Sequence, residues 1–244
     1  MDRSVYHRLE KIETEHWWFR ARRNILRSVV SRYTPRATGL RILEAGCGTG
    51  GNLGMLAEFG ELHAFELDEE ARQAAIRKHP IDIKFGSLPN NVPYPANSFD
   101  IVAALDVIEH IEDDVGSLQK LRQLLSADGR LIISVPALSW LWSEHDVSHH
   151  HFRRYTRSQL KSVLHEAGLK PIVLTYFNTL LFPAIAVQRL TKRALGRQWQ
   201  GDDTMPSPFV NRVLNHIFET EKYLIGRIPM PVGVSLLAVA EKLR

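Results

Sequence analysis

Glu44 stands ahead of three glycines at alternate positions, Gly46, Gly48 and Gly50, in the run RILEAGCGTGG. Glycine lets a backbone turn tightly and approach a ligand where a Cβ would collide. Ile42 and Leu43 before the run suit a buried parallel strand. GNLGMLAEF after it reads as the opening of a helix, whose free N–H groups can face a ligand. Three glycines and a helix start are costly for a mere connection, so the run predicts a nucleotide-type ligand held at the first strand–helix turn. Glu66 closes the next predicted strand, ELHAFE, where a carboxylate can accept hydrogen bonds from a ribose. A second chemistry-bearing run, SEHDVSHHHFRRYT, carries His145, His149, His150 and His151 beside Glu144 and Asp146. Zinc accepts such ligands, but consecutive histidines rarely converge on one centre, so no metal is expected. The run reads instead as a loop facing an acceptor, supplying a base and cationic anchors. The candidate bases are His151 first, then His110 and His145. For His110 a role in holding its turn by hydrogen bonding is the stronger expectation. Arg153 and Arg154 have a plainer reading too, as structural partners of acids.

Positioning these groups requires alternating strands and helices. Leu9, Ile12, Ile25, Leu26 and Val29 share one face of a predicted helix over 4–33. RILEA is followed by a helix over 51–59, LHAFE by a helix over 69–79 that Pro80 stops, and IDIKF by a Pro- and Asn-rich loop. FDIVAAL precedes a helix over 115–125 capped by Asp113 or Asp114 and marked off by Gly129. RLIISV stops at Pro136, a helix over 158–167 ends at Gly168, and KPIVLTYF follows. Such alternation predicts a parallel sheet covered on both faces. About fifty residues then intervene before VGVSLLAVAEK, the last predicted strand; they include an amphipathic helix over 210–228. Ligands of open α/β sheets collect outside the C-terminal strand ends, which draws Glu66–Leu67, Ser87–Leu88, Leu105–His110 and the loop after Pro136 toward the glycine turn.

Gly46, Gly48 and Gly51 also satisfy the dinucleotide pattern G-x-G-x-x-G, so the glycines and Glu66 alone leave nicotinamide and S-adenosylmethionine open. Glu44 favours the second, because an acid two residues before the first glycine suits a cationic ligand and would repel a pyrophosphate. With E-x-G-x-G-x-G in place, the chain resembles the class I S-adenosylmethionine-dependent methyltransferases, of the bacterial small-molecule, UbiE/UbiG-like type. The likeness is strong over 15–157 and looser toward the C-terminus. It implies an α/β, Rossmann-like, seven-stranded, mostly parallel sheet with helices on both faces and an antiparallel last strand. It also implies a single domain over 1–244, with a helical lid over 1–35 and a helical insertion over 178–231. Ser87 and Leu88 match the family's adenine contacts, although the serine stands where an acid is usual. Leu105 matches a residue that meets the methionine part through its backbone. Asp146, His151, Arg154 and Tyr155 resemble a D-x(4)-H-x-R-R-Y run of bacterial members, and EHWWFRARR resembles their lid helix. There Trp18 would stack on the cofactor and Arg22 would pair with its methionine carboxylate.

The 244 residues, 44% hydrophobic and 24% charged, are ordinary globular values. A net charge of +4 and a pI of about 9.3 permit an anionic substrate or membrane surface without arguing for nucleic acid. The single cysteine, Cys47, fits a reducing, cytoplasmic setting, and its place between two motif glycines makes it a filler. The N-terminus is charged and has no signal-peptide core. The strand FDIVAAL is not followed by the Asn/Asp-Pro-Pro-aromatic tetrapeptide of relatives that methylate planar amino groups. The expectation is therefore metal-independent methyl transfer to a small molecule, free or lipid-linked, bearing a hydroxyl, enol or acid. The uncharged stretch 171–188 is expected to be a buried strand and helix; contact with a membrane surface is its second reading. Two other classes share the glycine pattern: a nicotinamide-dependent oxidoreductase and a non-catalytic, cofactor-binding partner protein.

Overall fold

The computed structural model describes residues 10–34, 38–195 and 204–243. Seven strands, β1 (Leu40–Ala45), β2 (Gly60–Glu66), β3 (Ile83–Phe85), β4 (Phe99–Leu105), β5 (Leu125–Pro136), β6 (Leu169–Phe177) and β7 (Ser235–Lys242), form one sheet in the order β3-β2-β1-β4-β5-β7-β6. The first five pair in parallel, and β7 runs antiparallel between β5 and β6. The helices are α1 (Trp17–Tyr33), α2 (Leu53–Leu56), α3 (Glu69–Lys78), α4 (Asp114–Leu124), α5 (Glu144–Ser148), α6 (Arg157–Glu166), α7 (Phe182–Ala194) and α8 (Pro208–Glu219).

Alternate strand residues feed opposite faces, as the two-residue period of a strand requires. Leu43, Val102, Leu131 and Ile133 pack with Leu118 and Leu121 of α4 and Leu160 and Leu164 of α6. Ile42, Ile101 and Ile132 pack on the other face with Ile25, Leu26 and Val29 of α1 and Phe218 of α8. With both faces buried the strands are apolar almost throughout, which is why RILEA, FDIVAAL and RLIISV read as continuous runs.

The structure departs from the sequence reading at several element ends. The predicted helix over 4–33 begins outside the described residues, and within them it is broken by a turn over 13–16. Glu13 is drawn inward there by the Thr49 hydroxyl at 2.8 Å and the Lys78 ammonium at 2.6 Å. His16 then starts α1 afresh, its Nδ1 accepting from the Trp18 N–H at 3.3 Å. The helix predicted over 210–228 stops at Glu219. Two residues on, the buried Glu221 carboxylate accepts from the backbone N–H groups of Asn178, Thr179 and Leu180 at 2.7–2.8 Å. That tie fixes the end of β6 to the chain after α8. Strand β5 starts at Leu125, so Gly129 lies inside it rather than marking the end of a helix. Among the described residues no helix is long and apolar enough to cross a membrane.

Candidate active site

A cavity of about 700 Å³ opens outside the C-terminal ends of β1, β2, β4 and β5. The turn after β1 forms its floor. Gly46 and Cys47 both donate to the Phe65 carbonyl, at 2.9 and 3.2 Å, which brings the turn onto the end of β2. Gly48 has φ +55°, and a Cβ built there meets nothing within 4 Å, so its bare backbone faces open space. Gly50 serves packing instead: its Cβ would lie 3.0–3.2 Å from His79, Ala75 and Leu53, and it does not line the cavity.

Glu66 is 7% exposed and holds the floor together. Oε2 accepts from the Gly48 N–H at 2.7 Å, and Oε1 from those of Leu67 and Asp68 at 2.9 Å each. Burial raises its pKa, against the pull of these three donors. A carboxylate has about four acceptor positions, which leaves one on Oε2 for a ligand hydroxyl. Leu67 stands exposed at the rim. Ser87 exchanges both backbone hydrogen bonds with Asn91, and its hydroxyl lies outside that pair. Leu88 and Leu105 complete the apolar wall. Cys47 is buried, and burial followed by the Glu44 and Glu66 carboxylates pushes its thiol upward, consistent with a filler.

Glu44 does not line the cavity. It lies beneath the turn, accepts from Asn52 Nδ2 at 2.9 Å, and leaves Oε2 without a partner. Burial pushes its carboxyl up to about 8. Its effect reaches the cavity through Asn52, whose Oδ1 accepts from Arg22 at 3.2 Å. Arg22 lines the cavity with Trp18, and its guanidinium lies 5.1 Å from the Trp18 ring centroid. The cation is already engaged: Asp106 holds it at 2.6 Å and Ser134 Oγ accepts from it at 2.9 Å. Asp106, which follows Leu105 with φ +59°, carried no sequence signal beyond that adjacency.

Another part of the lining brings together His110, His145 and His151 from two segments. The ring centroids of His110 and His151 are 4.6 Å apart, and those of His145 and His151 are 6.0 Å apart. Asp146 is fully buried and its Oδ1 meets His151 Nδ1 at 2.9 Å and Arg154 Nε at 2.7 Å. Burial opposes ionisation of Asp146, but the bonds from His151 and Arg154 prevail and hold its carboxyl well below the ordinary range. An ionised Asp146 assigns the Nδ1 proton to His151 and leaves the lone pair on Nε2. His110 is different. Burial, then the neighbouring His151 and His149, pull its pKa down to about 3, against a hydrogen bond to the His149 backbone. Such a ring stays neutral and is a weak base. The plain reading of the arginines holds, since Arg153 pairs with Asp114 at 2.7 Å and Arg154 with Asp146. Glu109 escaped the sequence reading although it adjoins His110. It is fully buried at the cavity wall, burial and then Asp106 push its carboxyl far upward, and neither oxygen has a partner.

A helix and a turn from distant parts of the chain flank this wall. Ile185, Gln188 and Arg189 of α7 line the cavity, and Arg189 donates to the Leu141 carbonyl. Around that junction Trp140, Trp142, Phe152, Val187 and Leu190 are exposed, Val187 by 64%.

Comparison with known proteins agrees with this geometry. The methyltransferase domain family matches residues 18–174. The probable S-adenosylmethionine-dependent methyltransferase of Mycobacterium tuberculosis is 28% identical over 167 residues, 67% of this chain and 59% of that protein. The ubiquinone biosynthesis O-methyltransferase of Xanthomonas axonopodis is 27% identical over 165 residues, 59% of this chain and 68% of that protein. The chain thus spans about three fifths of the length of the mycobacterial relative. A methyltransferase chain from Haloferax volcanii, solved in complex with the Trm112 methyltransferase activator, shares the fold with a TM-score of 0.64 at 17% identity, over 99% of this chain and 95% of that one. The glycine turn, the strand order and the matched domain agree: this chain belongs to the class I S-adenosylmethionine-dependent methyltransferases, whose cofactor is S-adenosylmethionine.

Proposed function

We propose that this chain methylates a hydroxyl, enol or acid group of a small, lipid-linked acceptor, with the cofactor over the glycine turn and the acceptor against His151. The observation that carries this reading is the buried Asp146–His151 pair, whose histidine lines the same cavity as Gly48 and Glu66. The residues present fit the cofactor: Gly48 offers backbone where a side chain would intrude, and one acceptor position on Glu66 remains for a ribose hydroxyl. S-adenosylmethionine supplies an activated methyl group on a sulfonium, so the protein needs no metal or nucleophile of its own. The walls align the acceptor oxygen for displacement, at about 3–3.5 Å from the carbon it attacks. His151 Nε2 takes the proton that the acceptor hydroxyl loses, and Asp146 steadies the imidazolium that results. His110 and His145 help to shape the acceptor side. Leu88, Leu105 and Trp18 give the cavity an apolar lining, which favours dispersal of the sulfonium charge.

The apolar surface beside α7 supports a lipid-linked acceptor drawn from the cytoplasmic face of a membrane. Exposed tryptophans suit the interface between headgroups and acyl chains, and a basic chain suits anionic lipid. A relative named for ubiquinone biosynthesis adds to that reading. The absence of the amino-methylating tetrapeptide argues against nucleic-acid bases as acceptors. Flotation with phosphatidylglycerol vesicles and a screen of phenols, enols and hydroxy acids, each with short and long alkyl tails, test the proposal. The chain is expected to float with the vesicles and to turn over long-tailed acceptors faster. Methylation of peptides or nucleic acid, with no turnover of any small acid or hydroxyl, contradicts it.

A further inference from the structure

We infer that Glu109, His110 and His151 form an inhibitory binding site for a divalent cation of the zinc class, inside the acceptor half of the cavity. One ligand atom from each side chain lies within 4.8 Å of those of the other two. The second observation is independent of that spacing: Glu109 is fully buried at the cavity wall and neither carboxylate oxygen has a partner. Buried polar groups are nearly always satisfied, and an ion is one of the standard partners where protein supplies none.

Both histidines are already held as ligating histidines usually are, with the second nitrogen committed to an oxygen. Asp146 holds Nδ1 of His151 at 2.9 Å, and His110 is hydrogen-bonded to the backbone of His149. Two imidazoles with one carboxylate favour zinc over magnesium or calcium, which prefer oxygen ligands. Zinc bonds of about 2.0–2.2 Å require side-chain shifts on the order of 1 Å from the present spacing. Coordination engages the Glu109 carboxylate and occupies the His151 Nε2 lone pair. Three protein ligands then leave one tetrahedral position open to the acceptor's space. Inhibition follows because a coordinated Nε2 cannot take up the acceptor proton; this part rests on the role proposed for His151. On this reading the ion acts as a brake and takes no part in the transfer.

Cobalt(II) is the probe, added to the chelator-treated full chain. The site predicts a visible absorption band of tetrahedral cobalt at one ion per chain, displaced by zinc. Glu109→Gln and His110→Phe should each weaken binding by at least the roughly 10–100-fold that a lost supporting partner costs. S-adenosylhomocysteine affinity, measured in the same variants, checks that each still folds. Chelator-treated enzyme should turn over fully, equimolar zinc should stop it, and chelator should restore it. Absence of a stoichiometric band, or equal affinity in a folded Glu109→Gln chain, overturns the site. Zinc that binds and leaves turnover unchanged or raises it overturns the inhibition. Failure of the methyltransfer reading would show separately, as a cobalt band in a chain that binds no S-adenosylhomocysteine.

Discussion

His151→Ala is expected to lower turnover of a hydroxyl acceptor by about a hundred- to ten-thousandfold, the usual weight of a positioned general base. S-adenosylhomocysteine affinity should stay unchanged, because the cofactor contacts proposed are at Gly48 and Glu66 and not at His151. Asp146 fixes the tautomer: with its Oδ1 on Nδ1 at 2.9 Å, the basic lone pair is the one on Nε2. His110 is a poor substitute, since a ring whose pKa is drawn down to about 3 holds an accepted proton weakly. Steady-state kinetics with a small phenolic or hydroxy-acid acceptor measures the effect. A folded His151→Ala chain with near-normal turnover would remove the base assignment.

Glu66→Ala should cost cofactor affinity about 1.5–3 kcal/mol, the worth of a hydrogen bond to a charged acceptor, or roughly ten- to a hundredfold in Kd. The structure adds a reason for that size. The variant loses the remaining acceptor position for the ribose and also frees the N–H groups of Gly48, Leu67 and Asp68 that Glu66 now binds. Calorimetric titration with S-adenosylhomocysteine provides the check. Unchanged affinity in a folded variant would show that Glu66 organises the turn without touching the ligand.

What the sequence made legible was local. The glycine turn follows from residue types alone, and the two-faced burial of the strands is written in runs such as FDIVAAL. The antiparallel last strand came from the family likeness, and β7 lies antiparallel between β5 and β6. What stayed hidden depends on contacts distant along the chain. Arg22 reads as a free cation in EHWWFRARR, yet the fold sets Asp106 and Ser134 against it. Glu44 reads as a ligand contact because of its spacing, but the turn covers it and Asn52 stands between it and the cavity. Among the histidines, the run SEHDVSHHH offered candidate bases without showing which of them His110 would meet. The structure sets His151 against His110 from the turn after β4, and also against His145 and His149 of its own run. The break over 13–16 was likewise invisible, because it depends on Thr49 and Lys78 capturing Glu13.

The most direct test of the account is which nucleotide the cavity holds. Thermal denaturation with saturating S-adenosylhomocysteine, and separately with NAD, distinguishes the two ligand classes that share this glycine pattern. A ligand that binds the native state alone stabilises it by mass action, by about 2.7 kcal/mol at a hundred times its Kd. S-adenosylhomocysteine is expected to raise the Tm by several degrees and NAD to leave it unchanged. A Tm raised by NAD and unmoved by S-adenosylhomocysteine would contradict the account.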